Sequence, residues 1–154
     1  MRTRLIALVP SCLLIFSGVG RSAFAFNDLR YELAVLREGV DAGITQDEFH
    51  QLRIKIAALY RIASEDQRNA VSGFVQHLRA ADAIWTGMKS HYSCRNVSSY
   101  VADPAACFHE LADYYRSLGM NPPEVGSVIA DYQVIGPILK QIADDADMAL
   151  SKLK

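Results

Sequence analysis

Apolar residues recur at helical spacing along most of this chain, and they predict an all-α protein. In the first such segment Leu29, Leu33, Leu36 and Val40 follow one another every three or four residues, which places them on one helical face. No segment shows the strict alternation that is typical of a strand. The pattern therefore predicts a single-domain bundle of five to six helices. Four further stripes of the same kind lie within residues 49–60, 71–88, 107–118 and 138–153.

The first two helices are predicted to form an antiparallel hairpin around a short turn. Gly43 is placed to end helix one, because glycine tolerates the left-handed conformation that follows many helices. Thr45 and Glu48 have the spacing of a capping box, with Ile44 and Phe49 placed as the hydrophobic staple across it. The same residues resemble a short bacterial helical-hairpin motif, and this resemblance implies paired helices but no function.

The other helix boundaries follow from similar signals. Asn27 or Asp28 is predicted to cap helix one, and helix two is expected to run to about residue 61. Ser64 to Gln67 forms a second capping box, which starts a third helix that reaches about residue 91. Asp103-Pro104 starts a fourth helix that ends at Gly119. Gly136-Pro137 is predicted to separate a fifth helix (123–135) from a sixth, and one helix continuing through Pro137 is the alternative.

Residues 1–25 have the three parts of a secretory signal peptide. Arg2 and Arg4 are positive, the segment 5–19 is mostly apolar, and Ala23-Phe24-Ala25 fits a cleavage site. An uncleaved anchor and a lipoprotein attached at Cys12 are the alternatives. We therefore expect a periplasmic or secreted protein whose mature domain spans residues 26–154 and is not integral to a membrane.

The charge balance argues against a nucleic-acid partner. The chain carries 16 basic and 17 acidic residues, and removal of Arg2, Arg4 and Arg21 with the signal would leave 13 against 17, a net charge of −4. Nucleic-acid binding needs a basic stripe, which a mildly acidic chain with scattered Lys and Arg does not provide.

Cys94 and Cys107 are the two cysteines of the predicted mature domain, and twelve residues separate them. In an exported protein an even cysteine count predicts a disulfide, which here would close a loop between the third and fourth helices. A zinc site using His91 and His109 as further ligands is the alternative, although the spacing matches no familiar zinc pattern.

The usual catalytic and metal-binding motifs are incomplete. The stretch before Glu48 has the tail of a calcium-binding loop, but Arg37 and Gly39 stand where oxygen ligands belong. His109 and Glu110 begin a helical zinc-protease motif, yet Asp113 replaces its second histidine. No serine elbow, phosphate loop or haem-attachment motif occurs. We therefore predict no catalytic residue, no metal ligand and no cofactor.

Two polar segments are the candidate surfaces for a partner. The predicted disulfide would stiffen the loop that holds Arg95, Asn96, Ser98, Ser99 and Tyr100, and rigidly supported loops often carry recognition. The acidic cluster of Asp144, Asp145 and Asp147 could contact a basic partner, or could simply be the solvated face of the last helix.

By elimination, the sequence favours a non-enzymatic, exported helical binding protein that occludes a protein partner, as inhibitors and immunity proteins do. The first alternative is a helical carrier of a small apolar ligand or haem, because a helix bundle can hold either in its core. The second is a small envelope hydrolase whose acids and histidines meet only in the folded chain.

The disulfide gives the first testable prediction. Thiol-reactive label applied to the native, unreduced protein should modify neither Cys94 nor Cys107, and both should react after reduction and unfolding. Replacing both by serine should lower the free energy of unfolding by about 3 kcal/mol, because an open chain loses more entropy on folding than a closed loop of this size. Two free thiols in the native protein would contradict the pairing.

Overall fold

The computed structural model describes residues 19–90, 96–97, 100–101, 104–123 and 131–153. The described residues form five helices and one two-stranded hairpin, so the all-α prediction is confirmed. In chain order the elements are α1 (Val19–Ala42), α2 (Gln46–Ile62), α3 (Glu65–Ser90), β1 (Asn96–Val97), β2 (Tyr100–Val101), α4 (Pro104–Ser117) and α5 (Asp131–Lys152).

Four of the helices form a ring around one apolar core. Helix α1 packs against α2 and α5, and α3 packs against α2 and α5 from the opposite side. Helix α4 lies against α3. The predicted inner faces of the helices are buried, and together they form one continuous cluster. Its largest fully buried members include Leu29, Phe49, Leu78, Phe108 and Ile142.

The turn between α1 and α2 combines a cap at the C-terminus of α1 with a cap at the N-terminus of α2. Gly43 has a φ of 87°, and its amide donates to the Val40 carbonyl. The Ile44 amide donates to the Gly39 carbonyl at 2.8 Å, which completes a Schellman motif. A Cβ on Gly39 would lie 3.2 Å from Ile44 Cδ1, so the glycine also lets the isoleucine close over α1.

Both predicted capping boxes are present. The Thr45 amide donates to Glu48 Oε2 at 2.9 Å, and the Glu48 amide donates to Thr45 Oγ1 at 3.3 Å. The hydrogen bonds from Thr45 hold the pKa of Glu48 below its ordinary value. At the start of α3, the Ser64 amide donates to Gln67 Oε1 at 2.9 Å. Helix α4 ends in a second Schellman motif at Gly119, whose φ is 69°.

Two predicted boundaries are wrong. Helix α1 spans Val19–Ala42, so Asn27 and Asp28 lie inside it and do not cap it, and it crosses the predicted cleavage site. Helix α5 continues through Pro137, so the predicted separation at Gly136-Pro137 is wrong and the alternative of one helix is confirmed. Ile135 and Ile138 are both buried, so core packing on each side of the proline holds this helix together.

The predicted loop between α3 and α4 contains a small hairpin. Its strands β1 and β2 are antiparallel, with Asn96 opposite Val101 and Val97 opposite Tyr100. Two residues separate the strands in the sequence, and they lie outside the described residues.

The cap at Thr45 gives a stability prediction. Thr45→Ala should lower the free energy of unfolding by about 1 kcal/mol, because the amide of Glu48 loses its acceptor. Thr86→Ala is the matched control, since Thr86 is exposed within α3 and alanine is the better helix former. Urea denaturation of both variants measures the difference, and an equal effect would show that the cap does not stabilise the hairpin.

Candidate binding surfaces

A long trough follows the outer seam of α1 and α2. It has two compartments, one of about 730 Å³ at the hairpin turn and one of about 430 Å³ toward the other end of α2. Lys55 lines both compartments, so they are neighbours along the seam, with its side chain between them. From Asp47 to Leu59 the trough follows twelve residues of α2, which corresponds to about 18 Å. We call this feature the hairpin trough.

The hairpin trough lies on the side of α1 and α2 that faces away from the core. On α1 the core takes the face of Leu33 and Leu36, whereas Glu32 and Val35 line the trough. The compartment at the turn is lined mainly by small and apolar residues. They are Val35, Gly39, Ala42, Gly43, Ile44 and Leu52.

Charged side chains are spaced along the hairpin trough. Its described lining carries four carboxylates and one ammonium group, a formal charge of −3. The carboxylates belong to Asp28, Glu32, Asp47 and Glu48. Lys55 Nζ lies 3.8 Å from Glu32 Oε1, a loose surface pair. The field along the trough is therefore negative at both ends, with a positive charge between them.

Two large apolar side chains of α1 and α2 are mostly exposed. Tyr31 lines the smaller compartment and is 65% exposed. Ile62 is also 65% exposed, in the last turn of α2.

Two buried aspartates pair with histidines between helices. Asp82 of α3 lies 3.0 Å from His50 Nδ1 of α2, and Arg53 Nε lies 2.7 Å from the same carboxylate. The Arg53 N–H is too poorly aligned to form a hydrogen bond, so this contact is an ion pair. The cluster joins α2 to α3 and neutralises the buried carboxylate.

The second pair joins α3 to α5. Asp145 is 7% exposed, and its Oδ2 lies 2.7 Å from His77 Nδ1. The Gln141 amide donates to the other carboxylate oxygen at 3.0 Å. Both oxygens of a buried carboxylate are thus satisfied, which is the condition under which its burial is tolerated.

His77 and Asp145 also line a cleft of about 220 Å³ between α3 and α5. An aspartate on Nδ1 can orient a histidine whose Nε2 then acts as a base, which is the arrangement that a hydrolase needs. The nucleophile is missing from the described contacts. The Ser72 hydroxyl, which also lines this cleft, donates to the Asn69 carbonyl rather than to His77.

The predicted acidic cluster is divided between different environments. Asp144 is exposed, whereas Asp145 is buried in the pair with His77. Asp147 accepts a hydrogen bond from Arg37 Nε at 2.9 Å, and Arg37 also pairs with Asp41. Hydrogen bonds to these two carboxylates raise the pKa of Arg37. The three carboxylates therefore do not form one free acidic surface.

The other predicted surface lies largely outside the described residues. Cys94, Arg95, Ser98 and Ser99 are outside them, and for Asn96 and Tyr100 the structure describes the backbone in β1 and β2. Cys107 is completely buried in α4.

The described residues also include a buried tyrosine without a hydrogen-bond partner. Tyr115 is buried with its hydroxyl unpaired among the described residues, and burial raises its pKa. Within the described ranges no three His, Cys, Asp or Glu side chains are grouped to hold a metal ion. The described helices also include none that is long and apolar enough to cross a membrane.

The buried pair predicts a contrast between adjacent residues. Asp145→Ala should lower the free energy of unfolding by about 2 kcal/mol, because His77 and Gln141 would lose their shared acceptor inside the bundle. Asp144→Ala, one residue away and exposed, should change it by no more than about 0.5 kcal/mol. Urea denaturation near pH 7 measures both variants. Equal small effects would mean that the pair does not stabilise the bundle.

No family model, no curated protein and no solved structure matches this chain. What the surfaces do is therefore inferred from their shape, charge and hydrogen bonds.

Proposed function

We propose that this chain is a non-enzymatic helical binding protein, exported to the periplasm or beyond, which binds a protein partner and occludes it. Inhibitors and immunity proteins act in this way. The hairpin trough is the observation that carries the proposal. It is long, open and mostly apolar at the turn, and its charged rim can select a partner.

The shape of the trough supports a protein partner. Two parallel rows of side chains with an apolar floor form the kind of groove into which an amphipathic segment packs. A length of about 18 Å would accommodate roughly three helical turns. The His–Asp pairs, by contrast, have buried carboxylates that are used in helix packing, so they support a structural role.

The export part of the proposal rests on the predicted signal peptide and on the cysteines. We propose that Cys94 and Cys107 form the disulfide that the cysteine count predicts. Cys107 is completely buried in α4, and Cys94 is the remaining cysteine of the predicted mature domain, which supports the pairing. Such a bond would tie the 94–107 loop to α4 in an oxidising compartment. The loop residues 95–100 and the exposed Asp144 remain secondary candidates for partner contact.

A carrier of a small apolar ligand is the second candidate function. The larger compartment of the trough, about 730 Å³, is within the size range of small-molecule sites. Its described lining contains no His, Cys or Met that could ligate haem iron, so a lipid-like ligand fits better than haem. An open trough leaves much of such a ligand in water, which is why a protein segment is the first candidate.

Site-specific photo-crosslinking in the exporting cell tests the proposal. A photo-crosslinking amino acid in place of Gln51, which is exposed and lines the larger compartment, should capture a protein partner of defined mass. The same replacement at Gln76 is the matched control, because Gln76 is exposed on α3 and lines none of the described grooves.

A blocking variant makes the test specific. With the crosslinker at Ala42, which is exposed and lines the same compartment, Gln51→Trp should abolish the adduct by filling the trough, whereas Gln76→Trp should leave it unchanged. An adduct with the mass of a lipid would favour the carrier. Identical protein adducts from positions 51 and 76 would contradict the trough as the binding surface.

A further inference from the structure

The hairpin trough also indicates what kind of segment it binds. We propose that the partner segment is an amphipathic helix of about three turns, basic toward both ends, with an acidic residue in its middle opposite Lys55. The inference rests on the proposed function, since it names the chemistry of the partner at the same surface.

A helix is the form of segment that this surface can accept. The trough is lined by side chains of two helices, whose backbone amides and carbonyls are used within each helix. An added strand needs a free row of backbone donors and acceptors, which a helix flank does not offer. A partner must therefore make its contacts through side chains, and a third helix lying along the seam does so with its own backbone satisfied.

The apolar part of the partner is set by the floor of the trough. Small residues mark the floor near both ends, with Ala42 at the hairpin turn and Ala58 in the smaller compartment. Small side chains allow two helix backbones to approach closely. Leu52 lies between them and is half-buried, so it offers apolar contact in the middle.

The order of charges along the trough sets the register of the partner. Asp47 precedes Lys55 by eight residues on α2, a separation of about 12 Å. On α1, Glu32 lies opposite Lys55, and Asp28 follows about 6 Å further along. Asp28 and Asp47 are exposed and form no ion pair with a described residue, so a partner's cations can compensate them.

The matching helix therefore has an acidic residue that faces Lys55. One basic residue lies about eight positions from this acid and faces Asp47, and another lies about four positions away in the other direction and faces Asp28. The partner's acid would pair with Lys55 in place of Glu32. The Glu32 carboxylate would then be free to attract a cation of the partner. Complementary charge of this kind selects a partner and its orientation more than it raises affinity.

Two synthetic peptides of about 14 residues provide the probes. The first is an amphipathic helix with a glutamate at the position that faces Lys55, one lysine eight positions before it and another four positions after it. The second has the same apolar residues with each charge inverted. Fluorescence anisotropy of labelled peptide, with the full-length gene product purified from the periplasm of expressing cells, measures binding at low and high salt.

The first peptide should bind at least about tenfold more tightly than the second at low salt, and the difference should shrink as added salt screens exposed charges.

The double variant Asp28→Lys with Asp47→Lys should reverse this preference. Asp66→Lys with Asp144→Lys is the matched control, because it makes the same charge change at exposed positions outside the trough and should preserve the preference. Asp28→Asn with Asp47→Asn should weaken the preference to the part that Lys55 and Glu32 supply, and it replaces the lysine variant if that variant does not fold.

Equal binding of both peptides, or a preference that the control variant also reverses, would overturn the inference. Absence of peptide binding would overturn it too, and the proposed function would still stand if Gln51→Trp removed a protein crosslink in the cell. If a fatty acid displaced the first peptide, and the chain bound both peptides equally, the result would indicate the carrier of a small apolar ligand instead. A second copy of the chain in the trough would give a dimer that neither peptide dissociates, which would also refute the basic helix.

Discussion

The bundle depends on how α3 is held between α2 and α5. Its apolar stripe supplies much of the core, and each of its flanks carries one buried carboxylate contact. Asp82 reaches from α3 to α2, and Asp145 reaches from α5 back to α3. A buried carboxylate without a partner would cost several kcal/mol, so each pair disfavours any packing in which the helices rotate or slide. Apolar contact drives the association, and these polar contacts define its register.

The same core packing explains why a groove forms between α1 and α2. The hairpin turn is so short that both helices must leave it side by side, and each turns its apolar face toward the core. Two cylinders in contact leave a furrow on their outer side. Here that furrow is lined at the turn by glycine and small residues, so no side chain fills it. The trough is thus a consequence of a tight turn combined with short side chains.

Much of this architecture could be predicted from local sequence, because local interactions produce it. The caps at Thr45 and Ser64 and the glycines at positions 43 and 119 act within a few residues. The His–Asp pairs could not be predicted, since their partners are 32 and 68 residues apart. The predicted break at Pro137 is wrong because local propensity favours a break there, whereas the burial of Ile135 and Ile138 keeps one continuous helix. The trough could not be predicted either, because its position depends on which faces of α1 and α2 are left outside the core.

The distribution of charge connects the fold to the proposed binding role. Asp82 and Asp145 are compensated inside the bundle, and Asp147 is compensated by Arg37 on its surface. Those carboxylates are therefore poor candidates for attracting a partner, although Asp145 and Asp147 belong to the densest acidic run in the sequence. Charge that can steer association must remain exposed and uncompensated. Asp28 and Asp47 are exposed at opposite ends of the furrow and form no ion pair among the described residues, so under the proposal above they are the carboxylates that would attract a basic partner.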